Sequence, residues 1–253
     1  MGQLTRTLVM MLLMVLPSSP SSAAGKGDQE FAHLQYAAAE ASFLSALATS
    51  ADSAEILWKL ARTNVCMADV AGEDQRLGLY RRAEMFAARC ISADSASSEG
   101  HAWRAAALGN IAVFEGSKTK VQLCNVIKAE LDESIRLKPD NDIAYSILGS
   151  FYTALGNVSW LERRLAAIFL GSLPDGGYVD AERALRKAIV ISPRVIRHHA
   201  ALGELYVQED RTDEALGEFR QVVSLPVLLA RDRHDQSLAA EFIQKLDGKA
   251  ARL

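Results

Sequence analysis

The sequence predicts an all-α chain, a superhelix of stacked helical hairpins, and three observations carry that prediction. Pro139, Leu148, Gly149 and Tyr152 recur 54 positions later as Pro193, Leu202, Gly203 and Tyr206. A second set follows each, Ala181, Leu185 and Ala188 in one copy and Ala215, Phe219 and Val222 in the other. Between Ser21 and Lys138 there is no proline, and Ala, Leu, Glu, Arg and Lys dominate, which favours helix. A Leu-Gly step lets two helices approach closely, and a small residue followed four later by a large apolar one supplies the facing ridge.

Taken in order, residues 1–24 hold one charge, Arg6, an apolar run from Leu8 to Leu16, then Pro17, serines and Ala23-Ala24. This is the pattern of a cleavable secretory signal, with the cut expected after Ala24. The apolar run is about half of the roughly 20 residues a membrane span needs, and retention as an uncleaved anchor is the alternative. No Cys stands at the expected new start, which argues against a bacterial lipid anchor. Within 25–52, Asp28 is expected to cap a single leading helix running to about Thr49. Asp52 with Glu55 gives a capping-box pattern for a helix over 53–70. Gly72, Gly116, Gly156, Gly171 and Gly176-Gly177 then punctuate helices at about 75–92, 98–114, 118–137, 141–155, 160–170, 178–191, 194–209, 212–223 and 232–246.

These helices make four hairpins over 53–226. The first two are degenerate: Leu57, Leu60 and Ala61 face Ala83, Ala87 and Cys90, and Ala102, Ala105 and Ala106 face Ile127, Leu131 and Ser134. From Leu202 to Ala215 is 13 residues, whereas from Leu148 to Ala181 is 33, so the third hairpin carries an insert of 20, at about 157–175. The last segment, 227–253, holds a helix with Leu238, Ala239, Phe242 and Leu246 on one side, suited to closing the open end of a solenoid.

The Leu-Gly, aromatic, Ala and Pro spacing resembles the tetratricopeptide (TPR) repeat, which implies a right-handed superhelix of helix-turn-helix units. The runs Leu57-Trp58-Lys59-Leu60-Ala61-Arg62, His101-Ala102-Trp103, Glu115-Gly116-Ser117-Lys118 and Ser159-Trp160-Leu161-Glu162-Arg163, with the insert at its place, resemble the regulator of microtubule dynamics family over about 53–247. The resemblance implies a TPR-like, non-enzymatic protein without cofactor, of a kind associated in animals with microtubules or mitochondrial membranes. The signal pattern departs from that role, because an exported chain does not meet cytosolic tubulin. The resulting expectation is a bacterial cell-envelope protein, periplasmic, acting as an interaction scaffold.

In a TPR the first helix of each hairpin builds the concave face, and this resemblance puts Trp58 and Trp103 at equivalent groove positions of copies one and two, with Ser146 and Ala200 in copies three and four. Arg62, Asn110, Ser150, Thr153, Arg197, Glu204 and Gln208 fall nearby. The expected partner site is therefore Trp58, Arg62, Trp103, Asn110, Ser146, Ser150, Arg197 and Glu204, gripping a peptide or partner protein through aromatic and Arg anchors. Both indoles can equally pack in the core beneath the leading helix. The Lys, Arg and Asn cluster of a carboxylate-clamp TPR is missing at Ser146, Ser150, Ala200 and Glu204. The insert has Leu161, Leu165, Ile168 and Phe169 at helical spacing, behind a Ser159–Glu162 capping box. It is expected to pack over its own hairpin, a membrane-surface role being the other reading. With Trp160, Leu165 and Phe169 it could instead wall a pocket between insert and groove, which would make the protein a carrier or sensor of a small apolar ligand.

Other chemistries find little support. The net charge of -3, about -4 after the signal, lacks the basic stripe of a nucleic-acid binder. Cys66, Cys90 and Cys124 are odd in number, and the first two fall at opposite ends of a hairpin, so buried thiols are expected rather than a bridge. Adjacent His198 and His199 point about 100° apart on a helix and cannot share a metal as an i, i+4 pair could. Gly116-Ser117-Lys118-Thr119 imitates a phosphate loop, but Gly and Lys are not adjacent and Ile111 stands where the earlier Gly belongs. No nucleophile elbow, zinc-protease or dinucleotide pattern occurs, so no catalytic residue is expected.

Overall fold

A computed structural model describes residues 20–50, 53–169 and 171–250. Leu8–Leu16 and Asp52 lie outside them, as do the side chains of Trp160, Phe169 and Leu246. The described chain is twelve helices with no strand: α1 Pro20–Ala32, α2 Tyr36–Thr49, α3 Ala54–Val70, α4 Glu73–Ala93, α5 Ser98–Glu115, α6 Ser117–Leu137, α7 Asp142–Gly156, α8 Trp160–Phe169, α9 Tyr178–Ile191, α10 Ile196–Gln208, α11 Thr212–Ser224 and α12 Asp232–Ala250.

The hairpins are α3–α4, α5–α6, α7–α9 with α8 inserted, and α10–α11, and α12 packs on α10 and α11. The expected single leading helix is instead two, packed on each other as a further hairpin. The break is a Schellman turn: Leu34 N donates to Phe31 O and Gln35 N to Glu30 O, with Leu34 at φ 62°. That conformation usually selects Gly or Asn, and a Leu there gives no sequence signal. Asp210, at φ 57°, makes the same turn after α10 through Arg211 N to Tyr206 O.

The expected caps hold in part: Asp28 lies inside α1 and caps no helix start, its carboxylate accepting from Lys59 Nζ instead. Ser53 Oγ accepts from Ile56 N and so takes the place expected for Asp52, while Ser97 and Asn141 cap α5 and α7. The Ser159–Glu162 box is formed, with Glu162 N donating to Ser159 Oγ and Ser159 N to Glu162 Oε2.

The core runs through the stack as three clusters, one over α1–α5, one over α5–α7 with α9, and one over α9–α12. This is the quasi-one-dimensional burial of a solenoid, each hairpin covering the next. Cys66 and Cys90 are buried free thiols, and Cys124 is a half-buried one. Polar groups lock α5, α6 and α7: Asn141 Nδ2 donates to Ser98 Oγ at 2.8 Å, and Ser134 Oγ donates to Ser98 O at 2.8 Å.

His198 and His199 serve two neighbours. The fully buried His198 donates Nε2–H to Asp142 Oδ2 of α7 at 2.9 Å, leaving Nδ1 without a partner. His199 meets Glu218 of α11 at 2.7 Å through Nδ1 and Pro193 O at 3.0 Å through Nε2. Burial pushes His198 below the ordinary imidazole range. At His199 burial acts in the same direction, but the Glu218 and Pro193 hydrogen bonds outweigh it and push the group up. Stability from His198 is thus present above about pH 6.5 and is lost as pH falls toward its lowered folded value; that from His199 is present below about pH 6.5 and is lost as pH rises through its raised one. Titration by NMR is expected to give the two adjacent rings midpoints on opposite sides of about 6.5, and coincident midpoints would contradict this assignment.

Candidate interaction groove

In a TPR-like superhelix the first helix of each hairpin builds the concave face, here α3, α5, α7 and α10. On α3 the residues Trp58, Arg62, Cys66 and Asp69 follow one another at helical spacing and form a stripe along one side of the helix. Trp58 is half-buried. The Arg62 guanidinium carbon lies 3.8 Å from the centre of the Phe31 ring and 5.0 Å from that of Trp58. Its Nε is buried without a hydrogen-bond partner among the described residues, and its ion pair there, Nη2 to Asp28 Oδ1, is long at 3.9 Å. Burial pulls Arg62 below its ordinary value, partly offset by the Cys66 thiol and Asp28. Lys59 beside it is fully engaged, 2.7 Å from both Asp28 and Glu55.

Trp103 is elsewhere. It is 5% exposed inside the first core cluster, so the indole fills the contact between hairpins rather than lining the groove. Ser146 is buried as well, and exposed Ser150 turns its hydroxyl back to Ser146 O. Asn110 Nδ2 likewise donates to Ala106 O one turn back. Of the eight expected groove residues, Arg62 and Arg197 lie near Cys66, and Trp58 stands beside Arg62. Arg197 Nη2 reaches Asp69 Oδ2 at 3.4 Å, joining α10 to α3 across the concave side. Burial raises the Cys66 thiol to about 12 in spite of Arg197 and Arg62 nearby. Glu204 faces Asp235 and Arg231 near the start of α12; desolvation of the carboxylate there and then the Asp235 charge push it up.

Phe31, Tyr36 and Asp69 belong to this site without having been expected there. Asp69 was findable, since it continues the i, i+4, i+7 run from Arg62. Phe31 and Tyr36 were hidden by the unrecognised break at Leu34. The groove is crossed by the connection between α11 and α12, where Ala230 N donates to Tyr36 Oη at 2.9 Å and Leu229 and Ala230 pack on the first core cluster.

The insert helix is turned opposite to expectation. Leu161, Leu165 and Ile168 are 58%, 47% and 69% exposed, while Ala166 is buried. Arg163 binds inward, donating to Leu155 O at 2.8 Å and Gly176 O at 3.2 Å. Three backbone acceptors for one guanidinium, with Pro174 O as the third, fix the helix by its polar side and leave its apolar stripe outside. Leu165 therefore walls no pocket toward the groove. An open apolar cleft lies instead between α2, α3 and α4, lined by Leu34, Tyr36, Met67, Val70 and Leu79. Among the described residues no helix is long and apolar enough to cross a membrane, and no group of three or more His, Cys, Asp or Glu could hold a metal ion.

The profile of the family described as Regulator of microtubule dynamics protein 1-3 matches residues 26–247. The chain belongs to the regulator of microtubule dynamics family. Regulator of microtubule dynamics protein 1 of Bos taurus is 24% identical over 201 residues, which is 78% of this chain and 63% of that protein. For the Mus musculus protein of the same name the identity is 25% over 198 residues, 77% and 65% of the two chains. Regulator of microtubule dynamics protein 2 of Homo sapiens is 24% identical over 187 residues, 73% of this chain and 46% of that one. The match thus spans less than two thirds of these relatives' own length. Among solved structures, a thermophilic TPR protein of Thermus thermophilus superposes with a TM-score of 0.66 at 21% identity, covering 89% of this chain and 99% of its own. Yeast Tom70 superposes at 0.56 with 15% identity, covering 92% of this chain and 41% of its own. Identities this low carry the fold alone, and the fold is the TPR-like superhelix.

Proposed function

We propose that this member of the family binds a partner protein or peptide on its concave face, as an exported scaffold of the cell envelope. The observation that carries the reading is Arg62: a sheltered guanidinium between two aromatic rings, with an unpartnered Nε and only a long ion pair. A carboxylate arriving from a partner would gain a charge-assisted hydrogen bond in a partly desolvated setting, worth about 1.5–3 kcal/mol. Trp58 beside it adds an amphipathic contact surface that is already rigid, so little ordering is required on binding. The apolar run and small residues near Ala24 support the exported location, in which the partner is not tubulin.

The test is crosslinking and co-purification of the tagged full-length protein from cell-envelope fractions, beside Arg62→Ala. A specific partner is expected from the wild type and at least ten-fold less from Arg62→Ala, with far-UV circular dichroism unchanged. Equal recovery by the two would place the interaction off this face, and recovery of the protein from the cytosolic fraction alone would overturn the location.

A further inference from the structure

The connection Leu225–Arg231 lies across the concave face, and its attachment is thin. Its hydrogen bonds are almost all to its own neighbourhood: Leu228 N and Leu229 N both donate to Asp232 Oδ2, at 2.8 and 2.7 Å, Arg231 Nε donates to Asp235, and Gln236 Nε2 donates to Leu225 O. Asp232, 3% exposed, thereby folds the segment into a hook at the start of α12. Among the described residues the hook is joined to the first hairpins by a single hydrogen bond, Ala230 N to Tyr36 Oη, by the side chains of Leu229 and Ala230, and by the charges of Asp232 near Tyr36 and Cys66 and of Arg231 near Tyr80. Leu228 stays 48% exposed. A segment with its own internal bonding and few outward contacts opens at low cost in a fold otherwise held by long helical interfaces.

We propose that Leu225–Asp232 is a resident ligand of the groove, a latch that occupies the concave face until a partner segment of the same chemistry, adjacent apolar side chains followed by an Arg, displaces it. The inference rests on the concave-face reading above and adds a gate to it. Tyr36 is the catch: its ring packs on Phe31 at 5.1 Å, so the surface survives when only the hydroxyl is removed. Arg197 and Asp69 beside it hold the two ends of the superhelix together whether the latch is seated or not.

The experiment uses the full chain and a labelled synthetic peptide of residues 222–236, added in trans. Wild type, Tyr36→Phe and Asp232→Ala are compared by fluorescence anisotropy. Tyr36→Phe removes the hydrogen bond to the first hairpins from latch and peptide alike, and Asp232→Ala undoes the hook while keeping Tyr36 Oη in the groove. Asp232→Ala is expected to bind the peptide at least ten-fold more tightly than wild type and Tyr36→Phe no more tightly, because the peptide loses the same hydrogen bond as the latch, while both variants keep helical signal and exchange amides faster at Leu228–Arg231. Equal binding by all three proteins, no binding by any, or unchanged exchange in Tyr36→Phe would show that the segment is fixed core and overturn the latch. The two readings fail separately. A partner captured through Arg62 equally by wild type and Asp232→Ala removes the gate and leaves the groove, whereas tight peptide binding by Asp232→Ala without any captured partner removes the scaffold and leaves the latch.

Discussion

Gly149→Ala is expected to destabilise the fold by about 2–3 kcal/mol, although it replaces glycine in the middle of a helix. In an exposed helix the same exchange would stabilise, by about 0.5–1 kcal/mol, because alanine loses less backbone freedom on folding. Here a Cβ on residue 149 would stand 2.4 Å from Leu185 Cγ and 2.6 Å from its Cδ2. Leu185 is fully buried between α7 and α10, so the contact cannot be relieved by swinging a flexible end into solvent. Either α7 and α9 separate or Leu185 leaves its rotamer, and each disturbs the junction through which one hairpin meets the next. Gly203, the copy 54 positions on, meets Phe219 in the same way, with its would-be Cβ 2.7 Å from the ring edge. Gly217 supplies the control, since nothing lies within 4 Å of a Cβ built there. Urea denaturation of the three alanine variants with an unchanged m-value is the measurement. Gly149→Ala and Gly203→Ala should lower the midpoint while Gly217→Ala holds or raises it, and three equal midpoints would deny the close approach.

That pair of glycines explains why the fold was so legible. Helix-on-helix contact at backbone distance leaves a residue-type signature, and so do Ser, Asn and capping-box starts, which is why α3 to α11 fall within two residues of the expected bounds. Leu34 shows the opposite case, for a left-handed turn made with Leu has no compositional mark. The concave face was legible only where the chain carries a stripe at helical spacing. Trp58, Arg62 and Asp69 could be read from α3 alone, whereas the tie from Arg197 to Asp69 and the hook on Tyr36 join residues 128 and 194 positions apart. The insert misled through its own amphipathicity. The moment of α8 says that one side differs from the other, but three backbone carbonyls waiting for Arg163 decide which side faces in. A repeated bracket also escaped notice: His101 joins Glu130 to Ser95 O much as His199 joins Glu218 to Pro193 O, so the degenerate second hairpin keeps a polar feature of the fourth.

Trp103→Ala is expected to cost about 3–5 kcal/mol, and Trp58→Ala about 1–2 kcal/mol, though both tryptophans occupy equivalent repeat positions. The difference is what covers them. Trp103 lies on α5 within the cluster that also contains Leu57, Ala61, Ala106 and Ile111, and its removal leaves an indole-sized void at the junction of two hairpins, where rigid helices collapse poorly. Trp58 faces the groove end of α3 with Lys59 and Arg62 near its ring, at 5.8 and 5.0 Å, and truncating it mainly returns area to water and loosens those two cations. A double mutant would therefore unfold through Trp103 and report nothing about binding, so the two must be separated. The expected result is a Trp58→Ala protein with native helical signal and weakened partner capture, beside a Trp103→Ala protein with a large loss of denaturation midpoint. Because a solenoid transmits stability only between neighbours, the Trp103 void should loosen α3 to α7 in amide exchange before it reaches α10 to α12. Uniform loosening along the whole chain would instead mean that the Arg197–Asp69 contact and the hook on Tyr36 couple the two ends strongly enough to make the superhelix fold as one unit.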